Sequence, residues 1–273
     1  MNETADFPAH IRQQIVDLQA SKIREVSRDG LGRDGLLPLW FGEPDQPTPK
    51  FICDAADEAL AAGHTFYTAN RGIPPLREIL SEYMTNLYGV PVNQDRITLT
   101  VGAMNAIMLI MQAIVGPGDN VIVVEPLWPN CRETVAVMGG EPRLVQLEEI
   151  DGRWQLDLDR LFDSCDGKTR GIFINSPGNP TGWVMPADQQ RQVLDFCRRK
   201  NIWIISDEVY ARIIYDRPYA PSFVEIADPD DPLIVTNSFS KSWSMTGWRL
   251  GWLTTPPALG DVLDKLMEYN VSH

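Results

Sequence analysis

A chain of 273 residues with 44% hydrophobic content and eight tryptophans can bury a sizeable core, as one large α/β domain or two smaller ones. Its 37 acidic against 24 basic residues leave a formal charge of -13, which argues against a nucleic-acid or anionic-membrane surface but leaves room for one local basic pocket. Four scattered cysteines (Cys53, Cys131, Cys165, Cys197) without a CxxC pair, and three histidines in all, indicate neither a metal site nor a disulfide framework. The opening MNETADFPAH lacks a basic-then-apolar leader pattern, and no apolar run is long enough to span a bilayer. A soluble cytoplasmic protein is the expectation.

Apolar spacing over residues 11–26 predicts a surface helix. Gly30-Leu31-Gly32-Arg33-Asp34-Gly35 follows, a literal GxGxxG. Its dinucleotide-binding use needs a strand before it and a helix after it. Here a helix precedes and a strand-like run over 36–41 follows, so the segment reads as a loop and NAD is rejected. Gly42-Glu43-Pro44-Asp45 opens a proline-rich turn, whose glycine serves either the turn or a close ligand approach. A helix over 50–62 leads towards Tyr67, which on its own can simply pack against the helix after it.

From residue 96 the rhythm is strand, turn, helix, repeated. A strand over 97–100 meets Gly102-Ala103-Met104, which opens a helix running to about residue 115. A glycine turn feeding a helix N-terminus makes an anion site, because free N–H groups and the helix dipole face the ligand; turn geometry alone also explains the glycine. The strand over 120–124 ends at Glu125-Pro126-Leu127-Trp128-Pro129, where Trp128 is either core or a platform for a ring. A helix closing at Gly139-Gly140, a strand over 143–146, a hairpin or loop over 148–155 and a helix over 157–165 come next. The strand over 169–174 delivers Asn175-Ser176-Pro177-Gly178-Asn179-Pro180-Thr181-Gly182. Its prolines and glycines leave little conformational freedom and would hold the Asn179 amide rigidly, with a generic turn as the alternative. A helix over 187–200 and a strand over 202–206 lead to Asp207-Glu208-Val209-Tyr210. A carboxylate directly after an apolar strand is costly without a partner, which a helix N-cap or a protonated ring nitrogen would supply.

The strand over 233–236 runs into the segment from Ser238 to Trp252. Lys241 sits there among small hydroxyl and aromatic side chains, with Arg249 further on and glycines at 247 and 251. Desolvation lowers an amine pKa, and only the neutral amine attacks a carbonyl, so Lys241 is a candidate Schiff-base former; a surface lysine on a turn is the alternative. Ser238, Ser240 and Arg249 can hold an anion, the arginine with a bidentate fork. An amine beside an anion site suggests pyridoxal 5'-phosphate (PLP). A strand over 247–254 and a helix from 257 onward complete the pattern. Alternating strands and helices imply an α/β fold, a mostly parallel sheet sandwiched by helices, with ligands bound outside the strands' carboxyl ends. Gly102, Asn179, Asp207 and Lys241 lie just beyond four predicted strands and therefore converge in one crevice.

The lysine segment and the string NSPGNPTG resemble the signatures of class I/II aminotransferases, the fold-type I PLP enzymes of the aspartate aminotransferase superfamily. So do the stretches at 42–45 (GEPD), at 207–210 (DEVY) and from Tyr67 through Gly72 to Leu76-Arg77. The resemblance, running from about residue 39 onward, implies that fold's large domain with PLP held through Lys241, the catalytic residue. It implies Trp128 stacked on the pyridine ring, Asn179 and Tyr210 on its phenolic oxygen, and Asp207 on its nitrogen. Gly102, Ala103, Met104, Ser238, Ser240 and Arg249 would surround the cofactor, with Gly42 and Asn179 against the substrate. A homodimer is implied, in which Tyr67 reaches the neighbouring site. The implied reaction moves an amino group between an amino acid and a 2-oxo acid; a PLP-dependent carbon–sulfur β-lyase and a non-catalytic PLP-binding module are the alternatives. Neither nucleic acid nor membrane is an expected partner. Residues 1–45 are expected to form a helix and arm covering the site, and 46–273 a PLP-binding large domain. Family members continue into a C-terminal small domain whose arginine binds the substrate carboxylate, so this chain is expected to be an incomplete form with little transaminase activity of its own.

Overall fold

The computed structural model describes residues 10–272; the leader reading of the opening residues lies outside that range. Apolar runs bounded by turn residues form β1 (Ile97–Thr100), β2 (Asn120–Glu125) and β3 (Glu141–Gln146). A small hairpin, β4 (Glu148–Ile150) with β5 (Arg153–Gln155), precedes β6 (Thr169–Asn175), β7 (Trp203–Asp207), β8 (Leu233–Ser238) and β9 (Gly251–Thr254). Apart from the hairpin these strands form one seven-stranded sheet, in the order β3-β2-β6-β7-β8-β9-β1. Strands β3, β2, β6, β7 and β8 pair in parallel, whereas β9 is antiparallel to both β8 and β1. Only β9 is reversed. Its amino end therefore lies at the same end of the sheet as the carboxyl ends of the other six strands.

The helices are α1 (Gln13–Val16), α2 (Lys22–Gly30), α3 (Lys50–Ala61), α4 (Pro74–Tyr88) and α5 (Gly102–Ile114). They continue with α6 (Asn130–Val137), α7 (Leu158–Asp163), α8 (Ala187–Lys200), α9 (Phe239–Ser242) and α10 (Gly260–Asn270). Local chemistry sets their ends. Two prolines open α4, where their missing N–H groups are not needed, and Gly89 closes it in the left-handed region at φ 70°. Asp157 caps α7 by accepting the Arg160 N–H at 3.1 Å.

Alternation along each strand feeds two cores, one per sheet face. Ile122 and Val124 join residues of α4, α7 and α8 on one face. Val121 and Val123 join residues of α5, α6 and α10 on the other. The mostly parallel sheet between helix layers is thus the expected α/β architecture.

Two local expectations are corrected. The helix over 11–26 is two short helices, α1 and α2, which between them bury only Ser27. A short helix without a buried face is marginal, so nothing carries the helix through the intervening residues. The run over 36–41 is not a strand. Leu37 and Leu39 are 82% and 87% exposed, and with no neighbouring strand the apolar sequence has no ladder to join.

Trp252, on β9, is 2% exposed and donates its indole N–H to Met84 Sδ at 3.3 Å. It packs on the rings of Phe239 and Trp243, with centroids 5.1 and 6.2 Å away, so both flanks of Lys241 are pinned to the sheet. Trp252→Ala should lower the unfolding free energy by about 3–5 kcal/mol in urea titration. A loss well under 1 kcal/mol would mean that this aromatic cluster does not anchor α9.

Candidate functional site

Five connections meet at one end of the sheet, the one between β8 and β9 carrying two of the site's side chains. Those after β1, β2, β6, β7 and β8 carry Gly102, Trp128, Asn179, Tyr210 and Lys241, and Arg249 enters the reversed β9. Across neighbouring strands Asn175 is in register with Asp207, and Asp207 with Thr236.

Lys241 lies in the single-turn α9. Its cap, Ser238, accepts the Ser240 N–H at 3.0 Å, places its hydroxyl 2.8 Å from that of Ser240, and donates to the Leu250 carbonyl at 3.1 Å. Lys241 Nζ donates to the carbonyl of Gly42 and sits 5.6 Å from the Tyr210 ring centroid. Burial lowers its pKa below the ordinary lysine value; Glu43 and Asp207 oppose that shift and Arg249 adds to it. A depressed amine pKa raises the neutral, nucleophilic fraction at neutral pH.

Asp207 and Glu208 are adjacent and both buried, yet differently served. Glu208 accepts from Ser222 Oγ at 2.7 Å, Ser206 Oγ at 2.9 Å and the Phe223 N–H at 3.4 Å. Among the described residues the Asp207 carboxylate accepts only the Val209 N–H, at 3.3 Å. Burial pushes the Asp207 carboxyl up to about 7, against the pull of the Val209 bond and the Lys241 charge. A buried acid so poorly served lacks a donor, and a cationic N–H is the donor that suits it best.

Asn179 is clamped from three sides. Its N–H donates to Asn175 Oδ1 at 2.8 Å, its carbonyl accepts the Trp128 N–H at 3.0 Å, and its side-chain amide donates to the Tyr210 hydroxyl at 3.3 Å. Trp128 is half-buried. Burial raises the Tyr210 pKa, which the Asn179 bond opposes.

Gly102 takes φ 77°, and a Cβ there would lie 2.5 Å from Arg249 Nη2. Arg249 is itself left-handed at φ 55°, with Nη1 donating to the Thr246 carbonyl at 2.7 Å. A Cβ on Gly251 would meet backbone only: the Asn237 carbonyl at 2.8 Å, Gly102 C at 3.0 Å and Ala103 N at 3.1 Å. The start of α5, the guanidinium and the serine hydroxyls thus surround one end of the crevice. The side chain of Met104 packs into the core beneath α5.

One sequence candidate stays apart. Tyr67 is 88% exposed and touches none of these groups within its own chain. Three polar residues join the site that the sequence did not single out: Asn175, Glu43 and Asn237, whose Nδ2 is buried without a partner among the described residues. The signal for Asn237 and Asn175 was an amide at the end of an apolar strand.

Residues 35–272 match the family model described as Aminotransferase class I and II. The chain belongs to the class I and II aminotransferase family. It is 34% identical over 263 residues to an aspartate aminotransferase of Pyrococcus horikoshii, covering 96% of this chain and 66% of that protein. It is 36% identical to a probable aspartate/prephenate aminotransferase of Aquifex aeolicus, over 97% of this chain and 66% of that one. The crystal structure of an aspartate aminotransferase from Thermotoga maritima superposes with a TM-score of 0.89 at 31% identity, over 96% of this chain and 70% of the other. The chain thus spans about two thirds of the length of the relatives it matches.

The residues present fit the cofactor of this aminotransferase family, PLP, on chemical grounds. An amine with a lowered pKa suits an aldehyde, the glycine cradle beside Arg249 suits a phosphate, and the donor-poor Asp207 suits a protonated ring nitrogen.

Two outcomes follow for the chain without ligand. Folded Asp207 keeps its proton up to about pH 7, whereas an unfolded aspartate releases it near about 4. The folded state therefore binds the excess proton, and the stabilisation from this group is complete below the unfolded pKa and lost as pH rises through the folded one. The urea midpoint should fall from about pH 5 to about pH 8; burial also pushes the Glu208 carboxyl up to about 7, so Asp207→Asn should reduce that slope without removing it; an identical slope would place the proton elsewhere. Gly251→Ala, which drives a methyl into immovable backbone, should cost more than about 2 kcal/mol and abolish anion binding next to Gly102. Retained binding at parental stability would contradict that close contact.

Proposed function

We propose that this chain carries the PLP-binding part of an aminotransferase, one that moves an amino group between an amino acid and a 2-oxo acid. The observation that carries the reading is the convergence of a pKa-lowered lysine, a buried acid with one weak donor, and a glycine-and-arginine cradle at one end of the sheet. Family membership supports the same chemistry.

Lys241 would be the nucleophile that holds the aldehyde carbon, and its Nζ, once freed, would take and return the substrate α-proton as general base. When bound, PLP supplies an electron sink for the pair left behind by that proton. Asp207, ionised by pairing, keeps the ring nitrogen protonated. Asn179 and Tyr210 would hold the phenolic oxygen, and Trp128 would cover the ring. The N–H groups at Gly102, Ala103 and Met104, the hydroxyls of Ser238 and Ser240, and Arg249 would hold the phosphate. Gly42 and Asn179 face the substrate. A homodimer in which Tyr67 reaches the neighbouring site is part of this reading, and its exposure within one chain is compatible with that role. Because the relatives are named for aspartate, aspartate is the first donor to test.

PLP titrated into the purified chain should give a visible Schiff-base band that Lys241→Ala lacks. Added aspartate should shift the band, and a 2-oxo acid should form if transfer proceeds. A chain with no Lys241-dependent band would refute the reading.

A further inference from the structure

The Asn175 side chain is buried at the carboxyl end of β6, between two groups of the site. Its Nδ2 donates to the Asp207 carbonyl at 3.0 Å, and its Oδ1 accepts the Asn179 N–H at 2.8 Å. An amide has one donor end and one acceptor end, and here only one orientation satisfies both contacts. Flipping it would set oxygen against carbonyl oxygen and NH₂ against N–H. The Asp207 carbonyl also accepts the Ser176 N–H at 3.1 Å, so it keeps a partner if the Asn175 side chain is lost. The Asn179 N–H does not: its hydrogen bond is the Asn175 Oδ1. The polarity of the link therefore runs from β7, which fixes the amide, to the 175–182 loop, which the amide then fixes.

We infer that Asn175 is a positioning residue: anchored on β7, it sets where the Asn179 amide stands relative to Asp207. The two groups it couples are those assigned above to opposite sides of one aromatic ring, the phenolic oxygen and the ring nitrogen. This inference rests on the PLP reading. An asparagine that merely ended a strand would need only one of the two bonds, and neither would have to reach a side chain carrier of the site. Among the described residues the backbone of Asn179 is otherwise hydrogen-bonded only to Trp128, through its carbonyl. Without Asn175 the residue can pivot about that contact, and its side-chain amide loses its aim at the Tyr210 hydroxyl.

The test compares the parent chain with Asn175→Ala, Asn179→Ala and the double variant, each loaded with PLP. The readouts are the pH midpoint of the visible band, the PLP dissociation constant and the thermal midpoint. A donor on the phenolic oxygen stabilises its negative charge, which otherwise favours protonation of the nitrogen beside it. Losing the donor should therefore raise the pH midpoint, by about one unit in Asn179→Ala. Asn175→Ala should raise it in the same direction, and the double variant should show no further rise, because both changes remove one interaction. A purely structural role predicts a lower thermal midpoint with the parental pH midpoint, or shifts that add in the double variant; either result overturns the inference. Should Asn175→Ala not fold, Asn175→Asp keeps the size and the acceptor for Asn179 but loses the donor to Asp207. Its added carboxylate raises the midpoint by charge alone, so the test is again additivity: a rise that adds in full to that of Asn179→Ala counts against the proposal, and a smaller combined rise supports it. If the parent itself shows no Lys241-dependent band, the PLP reading fails and takes this assignment with it. A parental band with silent Asn175 variants sinks the assignment alone.

Discussion

The site depends on a directional constraint: one strand of the sheet runs against the others. In a parallel sheet only carboxyl ends gather at the ligand end, and amino ends lie a strand's length away. Reversing β9 brings its amino end, with Arg249 and Gly251, to the carboxyl ends of β1 and β8. The backbone of Gly251 then lies against Gly102 and Ala103, too close for any side chain. That contact places a guanidinium beside the start of α5 without the arginine reaching across the crevice. Glycine at 251 and at 102 is thus a requirement of the site's assembly, while most other glycines in the chain serve local turns.

Within this frame two adjacent buried acids, both pushed up to about 7 by burial, are served by very different numbers of donors. Glu208 receives two hydroxyls and an N–H, which is how a fold accommodates a carboxyl it keeps. Asp207 receives one long N–H contact and is pushed up to about 7 by burial. A deficiency of donors at a fixed, buried point destabilises the chain without ligand and is repaired by a ligand that brings a cationic N–H. The same binding would draw the Asp207 pKa down, because an opposite charge favours the ionised form. Lys241 is displaced in the complementary sense, its amine held below the ordinary lysine value. Acid and amine are both moved towards neutrality by burial.

Most of the fold was legible because its strands are apolar runs closed by turn residues. The α8 limits and the β4–β5 hairpin follow directly from periodicity and glycine placement. The reading failed where burial, not pattern, decides. Residues 36–41 have a strand's composition without a partner strand, and α1 and α2 break because nothing packs on them. At the site, Lys241, Asn179, Asp207 and Tyr210 were visible because they sit in short, compositionally unusual stretches, and the fold brings them within reach of one another. In the sequence Asn175 simply opens a loop, whereas its two bonds are a property of strand register, which sequence spacing does not display. Asn237 was hidden for the same reason: only packing shows that its amide is buried and unpaired. The reversal of β9 likewise has no signature in its four residues.

Stability is graded across the site, and the gradient falls at Lys241. Below it, Phe239, Trp243 and Trp252 form a buried aromatic floor continuous with the sheet. Above it, the segment carrying Gly42 is held by polar contacts: the Gly42 carbonyl on Lys241 Nζ, and Thr48, whose hydroxyl accepts the Trp248 indole N–H at 2.9 Å and donates to the Ser244 carbonyl at 2.5 Å. The neighbouring Leu37 and Leu39 contribute no burial. Segments with few apolar contacts open at low free energy, whereas those in the core open only with the whole domain. The cover can therefore move while the floor keeps the lysine aimed. An incoming group that needs the space of the Gly42 carbonyl must displace it from Lys241 Nζ, whose lone pair is available once the amine is neutral. Burial that lowers the Lys241 pKa and a weakly held cover act together here: the first makes the amine nucleophilic, and the second lets an incoming group replace the carbonyl.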